Sequence, residues 1–298
     1  MSEAKVTVTA AMVSELRERT SAGMMECKKF LVLANGDLDK AIDEMRKAGA
    51  TKAAKKEGRI TAEGLIAIEA SADNKTAALV EVNCETDFVA RSDDFQAFAK
   101  QVAKRALAHK TTNVEALLAL SLNEAGETVE QIRQHLVSKL GENISIRRVA
   151  IIHTNHTVAT YAHGARIGVL VELEGGHLDL GRDMAMQVAA SRPEVIKPEE
   201  VSAELIAKER EIYAVQAAES GKPPAIVEKM VEGRISKFLD EISLLGQPFV
   251  KNPDEKVSAV LKKANAQVLC FIRFEVGEGI EKKTDNFVEE VLAQARGK

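Results

Sequence analysis

CETDFV at residues 84–89 lies between a segment typical of a β-strand and a segment typical of an amphipathic helix. Residues 77–82 form an apolar, strand-like run, and residues 95–107 repeat apolar side chains at helical spacing. The short connection between them holds a large aromatic side chain, Phe88, beside an acidic one, Asp87. Loops on a rigid scaffold often carry function. The sequence also permits a structural role, in which Phe88 packs into the core and Asp87 caps the next turn.

Two segments of the chain look like copies of one strand–helix unit. ALVEV at 78–82 matches VLVEL at 169–173, and QVA at 101–103 matches QVA at 187–189. The gap between these anchors is five residues longer in the first copy than in the second. A strand–helix connection needs few residues, so the extra length favours a functional loop. That longer gap contains Thr86, Asp87, Phe88 and Val89.

Several stretches of the chain, in the expected order, resemble the bacterial elongation factor Ts family, the guanine-nucleotide exchange factors of elongation factor Tu. They are TSAGMMECKK at 20–29, EVNCETDFVA at 81–90, HGARIGVLV at 163–171 and FIRFEVGEG at 271–279. The first stretch departs from the family pattern at two positions, with Ser21 and Glu26 where glycine and aspartate are expected. Several long matches in one order are more specific than any single motif.

The resemblance implies how the loop acts on its partner. Phe88 would insert between helices of the GTPase domain of elongation factor Tu, with Asp87 acting beside it and Thr86 and Val89 completing the contact motif. This would disturb the Mg²⁺ that bridges the nucleotide phosphates, release GDP and stabilise the nucleotide-free partner until GTP binds. His163 is a further candidate contact, and an exposed polar residue at a turn is the alternative. The chain itself needs no cofactor and no metal, and it is expected not to be an enzyme.

The composition of the 298-residue chain excludes several other classes of protein. Forty-five acidic residues against 41 basic ones give a net charge of −4, whereas a nucleic-acid binder usually carries a basic surplus. The cysteines, Cys27, Cys84 and Cys270, are too scattered for a metal motif or a disulfide framework. No apolar run approaches the ~20 residues that span a bilayer, and the start, MSEAKVTVTA, does not resemble a signal peptide. We therefore expect a cytoplasmic protein with no nucleic-acid or membrane partner.

The apolar patterns predict an α+β fold in five parts. Residues 1–55 should form a three-helix module, whose family counterpart resembles a ubiquitin-associated domain and contacts the GTPase domain; stabilising its neighbour is the alternative role. Residues 56–143 should form a first core αβ subdomain that carries the Thr-Asp-Phe-Val loop, and residues 144–193 a second, related one. Residues 194–245 are predicted to be a protruding antiparallel helical hairpin. Residues 246–298 should return to the core and end in a helix.

The sequence does not determine the contacts of two segments, which are the hairpin and the connector before the first subdomain. In the hairpin, Leu205, Ile212 and Val215 are predicted to share one stripe, and GKPP at 221–224 indicates a tight reversal. An apolar outer face would need an occupant, and dimerisation through the hairpin is one option. The basic stretch at 51–59 is expected to be a solvated linker, with direct contact to an acidic partner surface as the alternative.

No stretch of the sequence has the residues that phosphate binding or catalysis requires. Gly176 and Gly181 have the glycine spacing of a phosphate-binding loop, but Arg182 and Asp183 follow where lysine and a hydroxyl residue are needed. Cys84 is interpreted as a small buried apolar residue rather than a nucleophile. The alternative function is an adaptor that holds partners together. The inserted loop favours exchange, because an adaptor does not need an aromatic side chain that inserts into its partner. Release of labelled GDP from elongation factor Tu would distinguish exchange from an adaptor function.

Overall fold

A computed structural model describes residues 7–20, 22–219 and 223–281, and it has the mixed helix and antiparallel sheet content of an α+β protein. The helices are α1 Ala10–Thr20, α2 Met24–Leu33, α3 Leu38–Ala54, α4 Asp87–Ala90, α5 Asp93–His109, α6 Val114–Ala119, α7 Val129–Leu140, α8 Leu178–Ser191, α9 Ala203–Ala218, α10 Pro224–Ile242 and α11 Val257–Lys263. The strands are β1 Glu63–Ala70, β2 Thr76–Cys84, β3 Ile144–His153, β4 Thr157–His163, β5 Ile167–Glu174, β6 Pro248–Phe249, β7 Asn252–Lys256 and β8 Gln267–Glu275.

Three sequence predictions fall outside the described residues. The first concerns Ser21, and the second concerns part of the reversal at 221–224. The third is the final helix, which was predicted from Phe287, Val288 and Leu292.

Helices α1, α2 and α3 pack around a small apolar cluster of their own. The turn between α2 and α3 places Asn35 and Gly36 at positive φ, and the side chain of Asp37 then accepts a hydrogen bond from the Lys40 backbone N–H at 3.0 Å. This is the capping geometry that the sequence predicts for α3. The buried side chains of this cluster are Val13, Leu16, Cys27, Phe30, Leu31 and Ala41.

The first sheet has the strand order β1-β2-β3, with both pairs antiparallel and β2 buried along its whole length. Helix α5 covers one face. The sequence assigns the strand that begins at Ile144 to the second subdomain, but its hydrogen bonds belong to the first sheet, where Ile144 pairs with Cys84. The reason is packing, since Ile146 and Val149 enter the same apolar cluster as Phe95 of α5.

The second sheet has the order β4-β5-β8, so the strand near the end of the described chain returns to pair with β5. Helix α8 covers one face, and the other face packs on the first sheet through Leu79, Leu170 and Phe274. The sheets are in close contact at Gly168, where a Cβ atom would lie 2.5 Å from Ile66 Cγ2 and 2.6 Å from Leu79 Cδ1. A larger residue at this crossing would force those buried side chains to shift.

Glu81, at the centre of β2, has a fully buried carboxylate that is paired on several sides. It accepts hydrogen bonds from Arg147 Nη1 at 3.2 Å, from Arg148 Nε at 2.5 Å and from the Gly277 backbone N–H at 2.8 Å. A buried charge is tolerated only when it is paired in this way. The network joins the first sheet to the chain that follows β8.

Helices α9 and α10 pack against each other as an antiparallel pair, but with a different face of α9 inward from the predicted one. The inward residues of α9 are Ile206, Tyr213 and Ala217. Ile212 and Val215, predicted to lie on the packed stripe, are 40% and 61% exposed. Ala217 continues the face that Ile206 and Tyr213 define, so this small buried side chain sets the phase of the helix. Within the described ranges, no helix is long and apolar enough to cross a membrane.

Candidate functional site

Phe88 projects from the connection between β2 and α5 with 81% of its surface exposed. The structural role that the sequence left open, in which this ring packs into the core, is therefore wrong. Its neighbour Val89 is buried against the first sheet's apolar cluster and fastens the same segment to the core. A large aromatic side chain gains nothing from folding when it points into solvent. The ring is therefore accessible to a partner.

The segment around Phe88 is a short helix rather than an open loop. Helix α4 spans four residues, and Thr86 is its N-cap, with an extended backbone and a side-chain oxygen that accepts from the Val89 backbone N–H at 3.4 Å. This bond is long, and a single helical turn is unstable by itself. Other contacts must therefore hold α4 in place.

Glu142 supplies those contacts from across the sheet. Its Oε2 accepts hydrogen bonds from the backbone N–H groups of Glu85 at 3.1 Å and Thr86 at 2.9 Å. Its Oε1 accepts from the Thr86 hydroxyl at 2.6 Å. The sequence analysis missed this residue. The signal that could have found it is strand register, because pairing of residue 84 with residue 144 in an antiparallel sheet brings residue 142 beside residue 86.

Asn143 ties the same region to the connector that follows α3. Its backbone N–H donates to Glu85 Oε1 at 2.6 Å, and its Nδ2 donates to the backbone oxygens of Glu57 and Arg59 at 3.2 and 3.1 Å. Arg59 also lies 3.4 Å from the Glu85 carboxylate. The end of the basic stretch is thus bound to the first sheet, although the sequence predicted a solvated linker.

Asp87 lies beside Phe88 on the exposed side of α4. Its carboxylate forms an ion pair with Arg91 at 2.9 Å, and both side chains are substantially exposed. Exposed pairs of this kind contribute little free energy. The Asp87 carboxylate is therefore free to exchange this partner for another.

His163 is exposed at the end of β4, where the turn to β5 begins as the sequence predicts. Its Nδ1 lies 3.3 Å from the Tyr161 hydroxyl, and the two rings are stacked with centroids 6.4 Å apart. Arg166, in the same turn, pairs with Glu63 at 2.7 Å, and Glu63 is the strand partner of Cys84. The His163 turn and the segment 86–89 therefore adjoin the same end of β1.

Cys84 is held in a form that cannot act as a nucleophile. Burial, with the negative charges of Glu142 and Glu63 nearby, raises the pKa of its thiol to about 12. The Sγ atom donates to the Thr86 carbonyl oxygen at 3.1 Å. At neutral pH the thiol stays protonated, and the thiolate is the reactive form. In the part of the chain that the structure describes, no group of His, Cys, Asp and Glu side chains could hold a metal ion.

Helix α2 carries a second exposed apolar surface. Met24 and Leu33, at the two ends of this helix, are both exposed. Clusters of exposed apolar side chains indicate interaction sites. By helical spacing Met25 and Val32 share one face of α2, with Met24 and Leu33 to either side of it, and these four exposed side chains are called the α2 patch below.

Comparison with known proteins covers nearly the whole chain. A family model described as Elongation factor TS matches residues 85–278. Elongation factor Ts of Legionella pneumophila (strain Paris) is 56% identical over 290 residues, which cover 97% of this chain and 99% of that protein. The Methylococcus capsulatus protein of the same name is 56% identical over 292 residues, with coverages of 98% and 99%. That of Thioalkalivibrio sulfidiphilus is 55% identical over 294 residues, with coverages of 98% and 100%.

Proposed function

The chain belongs to the elongation factor Ts family, and from that membership we propose that it promotes GDP release from elongation factor Tu during translation. It would bind the nucleotide-free partner more tightly than the GDP-bound one. By linkage, GDP then weakens binding of the chain by the same factor that the chain weakens binding of GDP. The chain makes and breaks no covalent bond in this cycle. GTP binding ends it by displacing the chain.

The observation that carries the proposal is the exposed aromatic ring on a fixed turn. Phe88 is 81% exposed, while Val89 beside it is buried and the Thr86 backbone is bound to Glu142. The ring is thus presented to solvent without needing to be reorganised. A pre-organised aromatic anchor binds at a lower entropic cost than a mobile one. Insertion of this ring between helices of the GTPase domain is the step that we assign to it.

Asp87 acts beside the ring on the partner's Mg²⁺ site. This carboxylate lies on the exposed side of α4 and is held only by the exposed ion pair with Arg91. Mg²⁺ requires near-ideal octahedral geometry, so a small shift of the groups around it weakens its binding. Loss of Mg²⁺ from the partner removes the charge that holds the GDP phosphates. Higher free Mg²⁺ should therefore oppose exchange.

Contacts away from the loop would supply additional affinity for elongation factor Tu. The α2 patch is apolar and exposed, which suits contact with the GTPase domain. His163 adjoins the same end of β1 as the segment 86–89, so one partner surface could reach both. Dimerisation through α9 and α10 stays a prediction; Ile212 and Val215 are the exposed apolar side chains on which it would depend.

The test is release of fluorescently labelled GDP from elongation factor Tu, measured with and without this chain. Phe88→Ala should slow catalysed release by about thirtyfold, because a buried interface anchor contributes on the order of 2 kcal/mol. Its melting temperature should stay within about 1 °C of the wild type, since Phe88 is 81% exposed in the folded chain.

Phe95→Ala is the matched control for the same truncation. Phe95 is fully buried in α5, seven positions along the chain, so its removal should cost about 3–5 kcal/mol of stability. If Phe88→Ala released GDP at the wild-type rate, insertion of this ring into the partner would be refuted. Binding of elongation factor Tu without any acceleration of GDP release would instead indicate an adaptor.

A further inference from the structure

We propose that Glu142 is a positioning residue for exchange, which holds α4 in the orientation that presents Phe88. The inference rests on the proposed function, because it concerns how the Phe88 ring is held in the orientation that inserts into the partner. Glu142 need not touch the partner. Its role is to raise the fraction of molecules in which the ring already points outward.

The three hydrogen bonds that Glu142 accepts come from the two residues immediately before α4. They are the backbone N–H groups of Glu85 and Thr86 and the hydroxyl of Thr86. An ionised carboxylate has acceptor sites only, which matches three donors. Bonds from N–H or O–H to a charged acceptor are about twice as strong as neutral ones. One side chain thereby fixes both the backbone and the side chain of Thr86.

The backbone on both sides of Glu142 is held by hydrogen bonds. Gly141 ends α7 in the left-handed conformation with φ 81° and donates its N–H to the Val137 carbonyl at 3.0 Å. Asn143 is buried, and Ile144 begins β3 as the partner of Cys84. Glu142 therefore stands between a capped helix and a paired strand. Its carboxylate can hold α4 because its own backbone is held on both sides.

Without Glu142, the segment would keep the hydrogen bond from Cys84 to the Thr86 carbonyl and the packing of Val89, but the N–H groups of residues 85 and 86 would lose their shared acceptor. The side-chain cap from Thr86 to the Val89 N–H is 3.4 Å long, and Phe88 itself is exposed. Val89 would anchor the segment to the core but would not fix its rotation about that anchor. The binding-competent fraction would fall, and the apparent affinity for the partner falls by the same factor. The sheet beneath should stay intact, because Glu142 is only half-buried.

The decisive measurement is GDP release from elongation factor Tu at increasing concentrations of the full-length chain. Glu142→Ala should raise the half-saturating concentration by about tenfold, as expected for a tenfold smaller competent fraction. The maximal rate should fall by less than about twofold, because a bound chain still inserts Phe88. Phe88→Ala, in contrast, should lower the maximal rate itself.

Glu130→Ala, in the helix α7 that precedes Glu142, is the matched control. Glu130 also accepts three side-chain hydrogen bonds, from Arg133 Nε and Nη2 and from Gln134 Nε2, but none from the residues around Phe88. This variant should exchange GDP with wild-type parameters. Glu142→Gln keeps one acceptor oxygen for the backbone donors and should recover most of the affinity.

A double-mutant comparison separates positioning from general damage. In the Phe88→Ala background, Glu142→Ala should change the half-saturating concentration by less than about twofold, because no ring remains to be positioned. An equal tenfold effect in both backgrounds would overturn the proposal. So would wild-type exchange by Glu142→Ala while Phe88→Ala is defective. If Phe88→Ala itself exchanges like the wild type, the proposed function fails instead.

Cysteine labelling gives a readout that does not depend on the partner. Cys84 is buried directly before α4 and its thiol donates to the Thr86 carbonyl, whereas Cys27 is buried in the α1–α3 cluster. Glu142→Ala should speed labelling of Cys84 by at least about tenfold more than Glu142→Gln does and leave Cys27 unchanged, because both variants remove the charge that adds to burial in raising the thiol pKa but only the alanine opens the segment more often. Unchanged labelling of Cys84 would show that α4 stays fixed without Glu142, which would also overturn the proposal.

Discussion

The two strand–helix connections of the core perform the same task with different lengths. Each follows the central strand of a three-stranded antiparallel sheet and leads into the helix that covers that sheet. The first, residues 85–92, has eight residues, and the second, residues 175–177, has three. The first exposes Phe88, whereas in the second His177 caps α8 by accepting from the Leu180 N–H at 3.2 Å.

The difference shows what packing alone requires. In the second connection Gly175 and Gly176 have φ values of 71° and 67°, and a Cβ on Gly175 would lie 2.4 Å from the Asn265 carbonyl oxygen. That turn is as tight as its surroundings allow. The first connection has five residues more and directs one of them into solvent. The extra length is therefore evidence of function, and the second copy is the reference that makes it visible.

Gly175→Ala should have the largest effect on stability and almost none on exchange. A left-handed backbone costs a non-glycine residue on the order of 1–3 kcal/mol, and the contact with Asn265 adds to it, so we expect a loss of about 3 kcal/mol. Thermal unfolding measures this. Gly126→Ala is the control, because Gly126 has φ 82° but no atom within 4 Å of an added Cβ. Equal losses for the two variants would show that the close contact relaxes freely.

Asp87→Ala should act only on the first connection and by less than Phe88→Ala does. We expect exchange to lose about 1 kcal/mol of transition-state stabilisation, or roughly fivefold in rate, with an unchanged melting temperature. GDP-release kinetics of the single and double variants give the test. The double variant with Phe88→Ala should be less than additive if both groups act on one site. Full additivity would mean that the two side chains work independently.

Arg91→Ala should have the smallest effect of the series. The pair between Arg91 and Asp87 is exposed, so its removal should change stability by less than about 0.5 kcal/mol. Exchange should stay within about twofold of the wild type in the same kinetic assay. A loss as large as that of Asp87→Ala would mean that Arg91 orients the carboxylate. In that case the first connection would depend on its own ion pair.

Local patterns made much of this comparison predictable from the sequence. The apolar run at 77–82 and the helical spacing at 95–107 correspond to β2 and α5. Glycine is the residue that most often ends a helix in the left-handed conformation, and Gly141 caps α7 with φ 81°. The five additional residues could be counted because ALVEV and VLVEL mark equivalent positions. In each case neighbouring residues along the chain determine the outcome.

Contacts between distant segments could not be predicted in the same way. The pairing of β3 with β2 is decided by which apolar cluster Ile146 and Val149 enter, and alternation alone does not specify that cluster. The phase of α9 depends on which of its apolar residues pack against α10, and these are Ile206, Tyr213 and Ala217 rather than Ile212 and Val215. Glu142 reaches residues 85 and 86 only because that strand pairing exists. Single-sequence periodicity contains none of this information.

The Glu81 network has a consequence for the order in which the chain is made. Its first members, Glu81, Arg147 and Arg148, emerge from the ribosome long before Gly277. Gly277 donates its N–H to the Glu81 carboxylate and lies 196 residues after Glu81 in the chain. A nascent chain that ends before β8 also lacks the Glu275 carbonyl and the Glu278 carboxylate that bind Arg148. Until then the Glu81 carboxylate has Arg147 and Arg148 as donors but lacks the Gly277 N–H. The full set of partners that a buried charge requires is therefore complete only after β8 has been made.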